Sequence, residues 1–333
     1  MRFPYGARMA HKEILVLATG GTIAGQAGNA LQRDYRPGQI GIASFVDQLS
    51  AFGLGGLRGV EVAAIGSEDM TPRIWRQLHG HCAEAMDDEG ITGIVITHGT
   101  DTAEETAMLL DLTLPTRKPV VLVGAMRPAD AVGSDGLRNF VNAVRVAKDE
   151  DAAGRGVLVV MGDRAISARD ARKARTSGTD AFRGFPRDAA ASVTPSALEW
   201  FGPAWAMGRE ARYAFPFRFP EVPILHAYAG MQPDLVDRLI DADTKGIVLA
   251  GFGEGNAPRA IRDRLASAAR SGTLVVRSSR VDEGLVDREP EDDATGFVAA
   301  RGLNAAKARI LLQVLLANEV ADPAAIQTAF DTR

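Results

Sequence analysis

Hydroxyl groups placed just after apolar runs are the side chains of this sequence that best suit nucleophilic chemistry. The first such run is followed by residues 19–25, TGGTIAG, whose paired glycines permit a tight turn and let backbone N–H groups lie close to a ligand. Thr22 follows the glycines and is expected to face that ligand. A threonine hydroxyl is a weak nucleophile until a base activates it, so this turn predicts an attacking group that needs partners from elsewhere in the chain.

A second hydroxyl-rich segment, HGTDT at residues 98–102, follows another apolar run. It offers the hydroxyl of Thr100 and the carboxylate of Asp101 beside a predicted helix start, where the partial positive charge of the helix favours anionic groups. A carboxylate at this position can bind an ammonium group. Thr22, Thr100 and Asp101 therefore suit a small zwitterion, with one hydroxyl left to attack an acyl carbon.

Both segments need a scaffold that places strand ends side by side. Short apolar runs alternate with helical patterns, which predicts repeated βα units around a largely parallel sheet, an α/β fold whose ligands bind beyond the carboxyl ends of the strands. The predicted strands cover residues 14–18, 60–65, 91–97, 119–124 and 156–161, and the predicted helices cover residues 74–89, 103–113 and 137–148. Thr102 and Glu105 have the spacing of a capping box, which predicts that the second of these helices begins there.

The length and a break in the pattern predict two domains. At 333 residues the chain exceeds the size at which one hydrophobic core usually keeps growing. Prolines interrupt regular structure between residues 200 and 223, which is typical of a linker. We therefore predict a first domain over residues 1–202, a linker over 203–222 and a second domain over 223–333. The second domain has predicted strands at residues 224–227, 246–252 and 273–278 and predicted helices at 234–241, 259–271, 305–317 and 323–330.

Charge and cysteine content argue against several classes of protein. Lysine and arginine number 38 against 42 aspartate and glutamate residues, without a long run of either sign, which argues against a nucleic-acid-binding surface. The apolar runs are shorter than a membrane span. The single cysteine, Cys82, cannot form an intrachain disulfide and fits a reducing compartment, so we expect a cytoplasmic protein. The N-terminus lacks the apolar segment of a signal peptide, and translation could start at Met1 or at Met9.

Two weaker patterns suggest a cofactor or a metal. Residues 251–255, GFGEG, resemble a dinucleotide-binding glycine loop, but Asn256 occupies the position of the third glycine. His79, His81 and Cys82 lie on a predicted helix, where residues two apart do not face each other. We therefore predict neither a cofactor nor a metal.

Several segments together resemble the bacterial L-asparaginase family. TGGTIAG and HGTDT look like its two signatures, and further segments agree with the family in order: GSEDM at 66–70, PVVLVGAMRP at 119–128, RGVLVVM at 155–161, VVRSSRV at 275–281 and GLNAAKARILLQ at 302–313. The resemblance implies a larger N-terminal domain with three α/β/α layers and a mostly parallel sheet, and a smaller flavodoxin-like C-terminal domain. It also implies hydrolysis of L-asparagine to L-aspartate and ammonia through a threonyl ester, without a cofactor.

The resemblance assigns catalytic roles to particular residues. Thr22 is implied as the nucleophile, and Tyr35 as a residue of the flexible loop that closes over it. Thr100, Asp101 and Lys173 are implied as a second triad. Lys173 would act through its charge or as a base.

Substrate-binding roles follow from the same resemblance. Ser67 is implied to hold the α-carboxylate of the substrate, and Glu68 to bind the ammonium group together with Asp101. Backbone N–H groups near Gly21 and Thr100 are implied to form an oxyanion hole. An alternative is that Ser67 and Glu68 only end a strand and cap the helix that follows.

Family members are homotetramers built from close dimers, and their sites receive groups from a neighbouring subunit. Asn256 matches one such group. Glu289 matches the other when counted back from residues 296–297, whereas Glu291 fits with a one-residue gap. We favour Glu289.

Glu68 also bears on specificity. Many strict asparaginases of this family carry glutamine where this chain has Glu68, whereas members with appreciable glutaminase activity often have glutamate. The resemblance thus implies L-asparagine as the main substrate, and Glu68 in that family context suggests L-glutamine as a secondary one. The alternatives are an enzyme that prefers glutamine, a non-catalytic amino-acid sensor with the same pocket, and a nicotinamide-dependent oxidoreductase.

Overall fold

The fold contains two main β-sheets, one in each half of the chain, and helices cover both. A computed structural model gives the coordinates, and it describes residues 12–27, 35–36, 38, 41–51, 54–194, 196–204, 210–241 and 244–332. The strands are β1 (Glu13–Gly20), β2 (Gln26–Ala27), β3 (Tyr35–Arg36), β4 (Leu57–Ile65), β5 (Ile91–Thr97), β6 (Val120–Val123), β7 (Val157–Met161), β8 (Arg164–Ser167), β9 (Ala171–Lys173), β10 (Phe182–Gly184), β11 (Ala191–Val193), β12 (Leu198–Trp200), β13 (Ile224–His226), β14 (Gly246–Gly251), β15 (Leu274–Ser279) and β16 (Phe297–Ala299). The α-helices are α1 (Ile42–Ala51), α2 (Pro72–Asp87), α3 (Ala103–Thr113), α4 (Gly136–Lys148), α5 (Asp234–Asp241), α6 (Arg259–Arg270), α7 (Pro290–Thr295), α8 (Ala305–Ala317) and α9 (Pro323–Asp331).

The first sheet has the strand order β12-β11-β8-β7-β6-β5-β1-β4. The strands from β7 to β4 in that order are parallel, and β8, β11 and β12 extend them as antiparallel strands. Ala18 of β1 is level with Thr97 of β5, and Gly20 pairs with Ile65 at the end of β4. The turns after β1, β4 and β5 therefore leave the sheet side by side.

Alternate residues of the central strands pack against different helices. Leu17 of β1 lies in an apolar cluster with Leu78 of α2, whereas its neighbour Val16 lies in another cluster with Phe140 of α4. A strand that is buried on both faces reads as a continuous apolar run, which is why these strands could be predicted. The packing confirms the predicted three-layer α/β/α arrangement around a mostly parallel sheet.

The second sheet is smaller and parallel throughout, with the order β13-β14-β15-β16. Val248 of β14 packs with Leu312 of α8 on one face, and Ile247 packs with Leu265 of α6 on the other. The predicted second α/β unit is thereby confirmed. Among the described helices, none is long and apolar enough to cross a lipid bilayer.

Part of the segment predicted as a linker is bonded to the first domain. Arg212 pairs with the carboxylate of Asp111 on α3 at 2.9 Å, and the N–H of Tyr213 donates to Leu112 O at 3.1 Å. The same helix α3 contributes to the apolar cluster that contains α8, through residues that include Met108. Helix α3 therefore contacts both the predicted linker segment and helix α8, which packs against the second sheet.

Candidate active site

The turns after β1 and β5 touch through their backbones. A Cβ atom at Gly21 would lie 2.5 Å from the Cα and the N of Gly99, so a side chain at Gly21 would force the turns apart. Gly21 also has a φ of 80°, in the left-handed region that favours glycine, and its N–H donates to Ile65 O at 2.8 Å. The structure therefore brings the two hydroxyl-bearing turns together at the edge of the first sheet.

Thr22 opens a single 3₁₀ turn, Thr22–Ala24, directly after this contact, and the residue is 7% exposed. Ile23 packs against α4, where a Cβ at Gly136 would lie 3.2 Å from Ile23 Cγ1. The N–H of Ala129 donates to Gly25 O at 3.1 Å, which ties the turn to the loop after β6. These contacts fix the backbone that carries the Thr22 hydroxyl.

Lys173, at the end of β9, reaches the turn after β5. Its ammonium donates to Thr100 Oγ1 at 2.9 Å and forms an ion pair with Asp101. The Lys173 side chain is 18% exposed and that of Asp101 is 62% exposed, so the carboxylate faces solvent while the lysine is largely enclosed. The three groups predicted as a second triad are thus in direct contact.

Ser67 lies behind the same turn. Its Oγ accepts hydrogen bonds from the N–H groups of Asp101, at 3.1 Å, and Thr102, at 3.4 Å. A hydroxyl has two acceptor positions and one proton to donate, so the proton is the part of Ser67 that can be offered to a carboxylate. Gly99 leaves room for this contact, since a Cβ there would lie 2.7 Å from Ser67 Oγ.

The predicted capping box at the start of α3 is wrong, although α3 begins where it was predicted. Thr102 makes no side-chain cap: its backbone has φ −119° and ψ 16°, and its hydroxyl donates to Ser67 O at 2.8 Å. Glu105 lies 3.8 Å from Arg309 of α8. The local spacing failed because Ser67, 35 residues earlier in the chain, holds the hydroxyl.

The loop after β4 places Glu68 at the surface. Ser67 and Glu68 belong to a 3₁₀ turn, Ser67–Asp69, and the carboxylate of Glu68 folds back over Gly66. The helix that follows is capped by Thr71, whose hydroxyl accepts from Ile74 N at 3.3 Å. The alternative that Ser67 and Glu68 serve as the cap of α2 is therefore wrong.

His98 is fully buried and fixes the peptide that precedes Thr100. Its Nδ1 lies 2.7 Å from Gly99 O, and its Nε2 lies 2.9 Å from Thr106 Oγ1, which also accepts from Trp75 Nε1 at 2.8 Å. A carbonyl only accepts, so Nδ1 carries the proton and Thr106 donates to Nε2. Because Gly99 C=O and Thr100 N–H share one planar peptide unit, this chain of hydrogen bonds sets the direction of the Thr100 N–H.

The neutral state of His98 predicts a pH dependence of stability. Burial lowers the pKa of His98 to about 4. Below pH 6.5 the unfolded chain binds a proton here that the folded chain does not bind until about pH 4, so the free energy of unfolding should fall by roughly 3 kcal/mol across this window. Urea unfolding from pH 4 to pH 7 measures it. His98→Gln keeps a donor and an acceptor without titrating, and equal pH slopes in the two proteins would contradict the prediction.

The remaining predicted residues lie elsewhere. The backbone of Tyr35 pairs with Ala27 between β3 and β2, but its side chain lies outside the described part of the structure. Asn256 is exposed on a tight turn in which its N–H donates to Phe252 O at 2.8 Å. Glu289 is the N-cap of α7, and its N–H donates to Asp292 Oδ2 at 2.9 Å. These contacts of Asn256 and Glu289 are made within the second domain.

The buried guanidinium of Arg277 connects the turn before Asn256 with helix α7. Arg277 forms a two-pronged ion pair with Asp292, at 2.7 and 2.6 Å, and also donates to Glu254 O at 2.5 Å. Glu289 Oε1 lies 3.6 Å from the same group. Glu291, the other residue considered for the partner's site, instead pairs with Arg262 at 2.6 Å.

Sequence reasoning assigned no role to His98 or to Lys307. His98 lies inside the HGTDT segment, and that position was the only signal for it. Lys307 interrupts an apolar pattern in which Leu303, Ile310 and Leu311 lie four residues before and three and four residues after it. A lysine in such a stripe indicates a buried charge. Across the residues that the structure describes, no group of three or more metal-ligating side chains is arranged to hold an ion.

Two family models match the chain. The model described as "Asparaginase, N-terminal" matches residues 13–205, and the model described as "Glutaminase/Asparaginase C-terminal domain" matches residues 221–330. The boundary between the two matches falls in the proline-containing segment.

Individual proteins match over nearly their full length. L-asparaginase 2 of Escherichia coli (strain K12) is 39% identical over 335 residues, which cover 98% of this chain and 94% of that protein. The probable periplasmic L-asparaginase of Haemophilus influenzae is 39% identical over 331 residues, 96% of this chain and 92% of that protein. The crystal structure of a probable cytoplasmic L-asparaginase from Campylobacter jejuni superimposes with a TM-score of 0.92 at 35% identity, over 97% of this chain and 100% of that one.

Proposed function

The chain belongs to the bacterial L-asparaginase family, and from this premise we propose that it hydrolyses L-asparagine to L-aspartate and ammonia where the turns after β1 and β5 meet. It is an amidohydrolase, as both family models and the relatives indicate. The observation that carries the proposed site is the contact of Lys173 with Thr100 and Asp101, adjacent to the turn that holds Thr22. The test is ammonia release from L-asparagine by the purified protein.

Thr22 is the proposed nucleophile. Its Oγ attacks the side-chain amide carbon, a C–O bond forms, and the hydroxyl proton is passed to the departing nitrogen. The C–N bond breaks and ammonia leaves. Water then hydrolyses the ester, which frees L-aspartate and restores the Thr22 hydroxyl. Tyr35, on the segment that follows this turn, is proposed to close over the reacting groups.

Lys173 and Thr100 are the proposed route for proton movement. The ammonium of Lys173 donates to Thr100 Oγ1, so the two side chains already share a hydrogen bond along which a proton can pass. Asp101 holds the lysine in place through its ion pair. Lys173 acts either through its charge or, after losing a proton, as a base.

Backbone N–H groups are proposed to stabilise the oxyanion that develops on the amide oxygen. Removing such a donor typically costs about 2.7 to 4 kcal/mol of transition-state stabilisation. The N–H of Gly21 itself already donates to Ile65 O, so the donor from this turn is proposed to be the next N–H along the chain. The donor from the other turn is the N–H of Thr100, whose direction His98 sets.

The substrate's charged groups have proposed partners on both sides of the turns. The hydroxyl proton of Ser67 is directed to the α-carboxylate, and the carboxylates of Asp101 and Glu68 bind the ammonium group. We propose a homotetramer in which Asn256 and Glu289 complete the site of a neighbouring subunit. The exposed position of Asn256 supports this, and light scattering of the purified protein measures the oligomer.

Glu68→Gln is expected to lower glutamine hydrolysis more than asparagine hydrolysis, because glutamate at this position is proposed to support glutaminase activity as a secondary function. The name of the C-terminal family model includes glutaminase. Steady-state assays on both amides, with wild type and variant side by side, measure the change in the ratio of kcat/KM values. An unchanged ratio would remove Glu68 as a determinant, and a wild type that prefers glutamine would make it chiefly a glutaminase.

A cytoplasmic location is proposed for the protein. The Campylobacter jejuni neighbour is titled cytoplasmic, whereas the Haemophilus influenzae relative is named periplasmic, and the single cysteine suits a reducing compartment. Fractionation of the native host, followed by immunoblotting, tests this.

A further inference from the structure

Lys307 is a fully buried lysine in the first turn of α8, outside the groups assigned to the reaction. Its ammonium donates to two main-chain carbonyls of the first domain, Arg169 O at 2.5 Å and Ala171 O at 2.7 Å. These carbonyls lie four and two residues before Lys173. A side chain of the second domain thus forms hydrogen bonds with the segment that carries the proposed catalytic residue Lys173.

Ala171 O lies on the outer edge of β9, and Arg169 O lies in the turn that leads into it. On the inner edge, β9 pairs with β10, as shown by the hydrogen bonds from Phe185 N to Asp170 O, at 3.0 Å, and from Ala174 N to Ala181 O, at 2.8 Å. Residues alternate along an extended strand, so the carbonyl of Ala171 points away from β10. The ammonium of Lys307 therefore stands where a further strand would donate its N–H groups.

The same turn of α8 also holds the helix that follows Asp101. Asn304 donates from Nδ2 to Glu104 Oε2 at 3.0 Å, and Glu104 lies in the first turn of α3. Asn304 is at the same time the N-cap of α8, since its Oδ1 accepts from Lys307 N at 3.1 Å. The start of α8 is thus bonded both to the segment that leads to Lys173 and to the helix that follows Thr100 and Asp101.

An ammonium at this position has an energetic cost that an apolar residue would avoid. Burial lowers the pKa of Lys307 to about 7, against the opposing negative charge of Glu104. Burial likewise raises the pKa of Glu104. The hydrogen bonds to the β9 edge are the interactions that offset this cost, and they act on the position of β9.

We propose that Lys307 is a positioning residue that fixes where Lys173 meets Thr100, a role that rests on the proposed function of the triad. It touches neither the substrate nor the reacting atoms. Its effect on turnover passes through the β9 backbone, so its loss should change the rate of the chemical steps more than substrate binding.

Lys307→Met, which keeps the length of the stem and removes the donor, tests the proposal in the full-length protein. We expect kcat for L-asparagine to fall by about 10- to 100-fold, the scale of a misplacement of about 1 Å at a catalytic group. KM should change by less than about threefold, because Asp101 alone among the side chains proposed to bind the substrate contacts Lys173, whereas Ser67 and Glu68 lie on the loop after β4. Lys307→Gln, a shorter donor, should recover part of the lost kcat.

Lys118→Met is the matched control. Lys118 also donates to two main-chain carbonyls, Ala85 O at 2.8 Å and Asp88 O at 2.6 Å, but these lie in α2 and just after it. Its loss should lower the melting temperature and leave kcat within about twofold of wild type. An unchanged kcat in folded Lys307→Met, or an equal loss of kcat in Lys118→Met, overturns the proposal.

Two further measurements cover the other outcomes. If Lys307→Met does not fold, Asn304→Ser takes its place, because serine keeps a cap on α8 and removes the donor to Glu104. A fall in kcat at unchanged KM in this variant supports the proposal. An unchanged kcat overturns it. A wild type that releases no ammonia would contradict the proposed function alone. The crystal structure of folded Lys307→Met, or of Asn304→Ser in its place, then decides the positioning role, which requires the Lys173 Nζ to Thr100 Oγ1 distance to exceed about 3.5 Å.

Discussion

Alanine in place of Thr22 is expected to lower kcat for L-asparagine by about 10⁴-fold or more, because no ester can form without the hydroxyl. The melting temperature should shift by only a few degrees, since the change removes one small side chain from a turn that its backbone contacts hold in place. Ammonia release and thermal unfolding measure the two effects.

Thr19→Ala is the matched control for this turn. Thr19 is buried three residues earlier, and its Oγ1 donates to Thr97 O at 2.9 Å. Its loss should cost about 1 kcal/mol of stability and leave kcat within a few-fold of wild type. Retained turnover in Thr22→Ala would remove Thr22 as the nucleophile. A wild type that binds L-aspartate but releases no ammonia would favour the amino-acid sensor.

Lys173→Met is expected to lower kcat by about 10²- to 10⁴-fold, the range that a positioned proton-transfer group contributes. The methionine leaves Thr100 without the ammonium that now donates to it and leaves Asp101 without its ion-pair partner. Steady-state kinetics with L-asparagine and titration with L-aspartate separate the loss of rate from any loss of binding. A variant that keeps more than about a tenth of the wild-type kcat would contradict the assignment.

Lys173→Arg separates the two roles that remain open for this lysine. Arginine keeps the positive charge but stays protonated at any pH of the assay, so it cannot serve as a base. A kcat close to wild type would assign Lys173 an electrostatic role, and a loss as large as that of Lys173→Met would assign it the role of a base.

The parallel core of the first sheet could be predicted because strands buried on both faces leave continuous apolar runs. The antiparallel strands from β8 to β12 were not predicted, since they are three or four residues long and lie among glycine, proline and charged residues. Helices α1 and α7 and strand β16 were missed as well. Strand β16 has only three residues, Phe297–Ala299. An apolar run of that length cannot be distinguished from a loop by its pattern.

The residues of the candidate site were likewise predictable only in part. Glycines and hydroxyls at strand ends carry local signals, so Gly21, Thr22, Thr100 and Asp101 could be found from the sequence. The resemblance supplied Lys173. Contacts between distant segments leave no such signal, which is why the hydrogen bond from Thr102 to the Ser67 carbonyl replaced the predicted capping box.

The bond between α8 and the outer edge of β9 limits how the polypeptide can be dissected. A fragment cut at the proposed linker, residues 203–222, would retain every residue of the proposed triad, yet the carbonyls of Arg169 and Ala171 would lose the amine that donates to them. Work on truncated or split forms should therefore supply both halves together, because the proposed position of Lys173 in the amino-terminal half depends on a side chain from the carboxyl-terminal half.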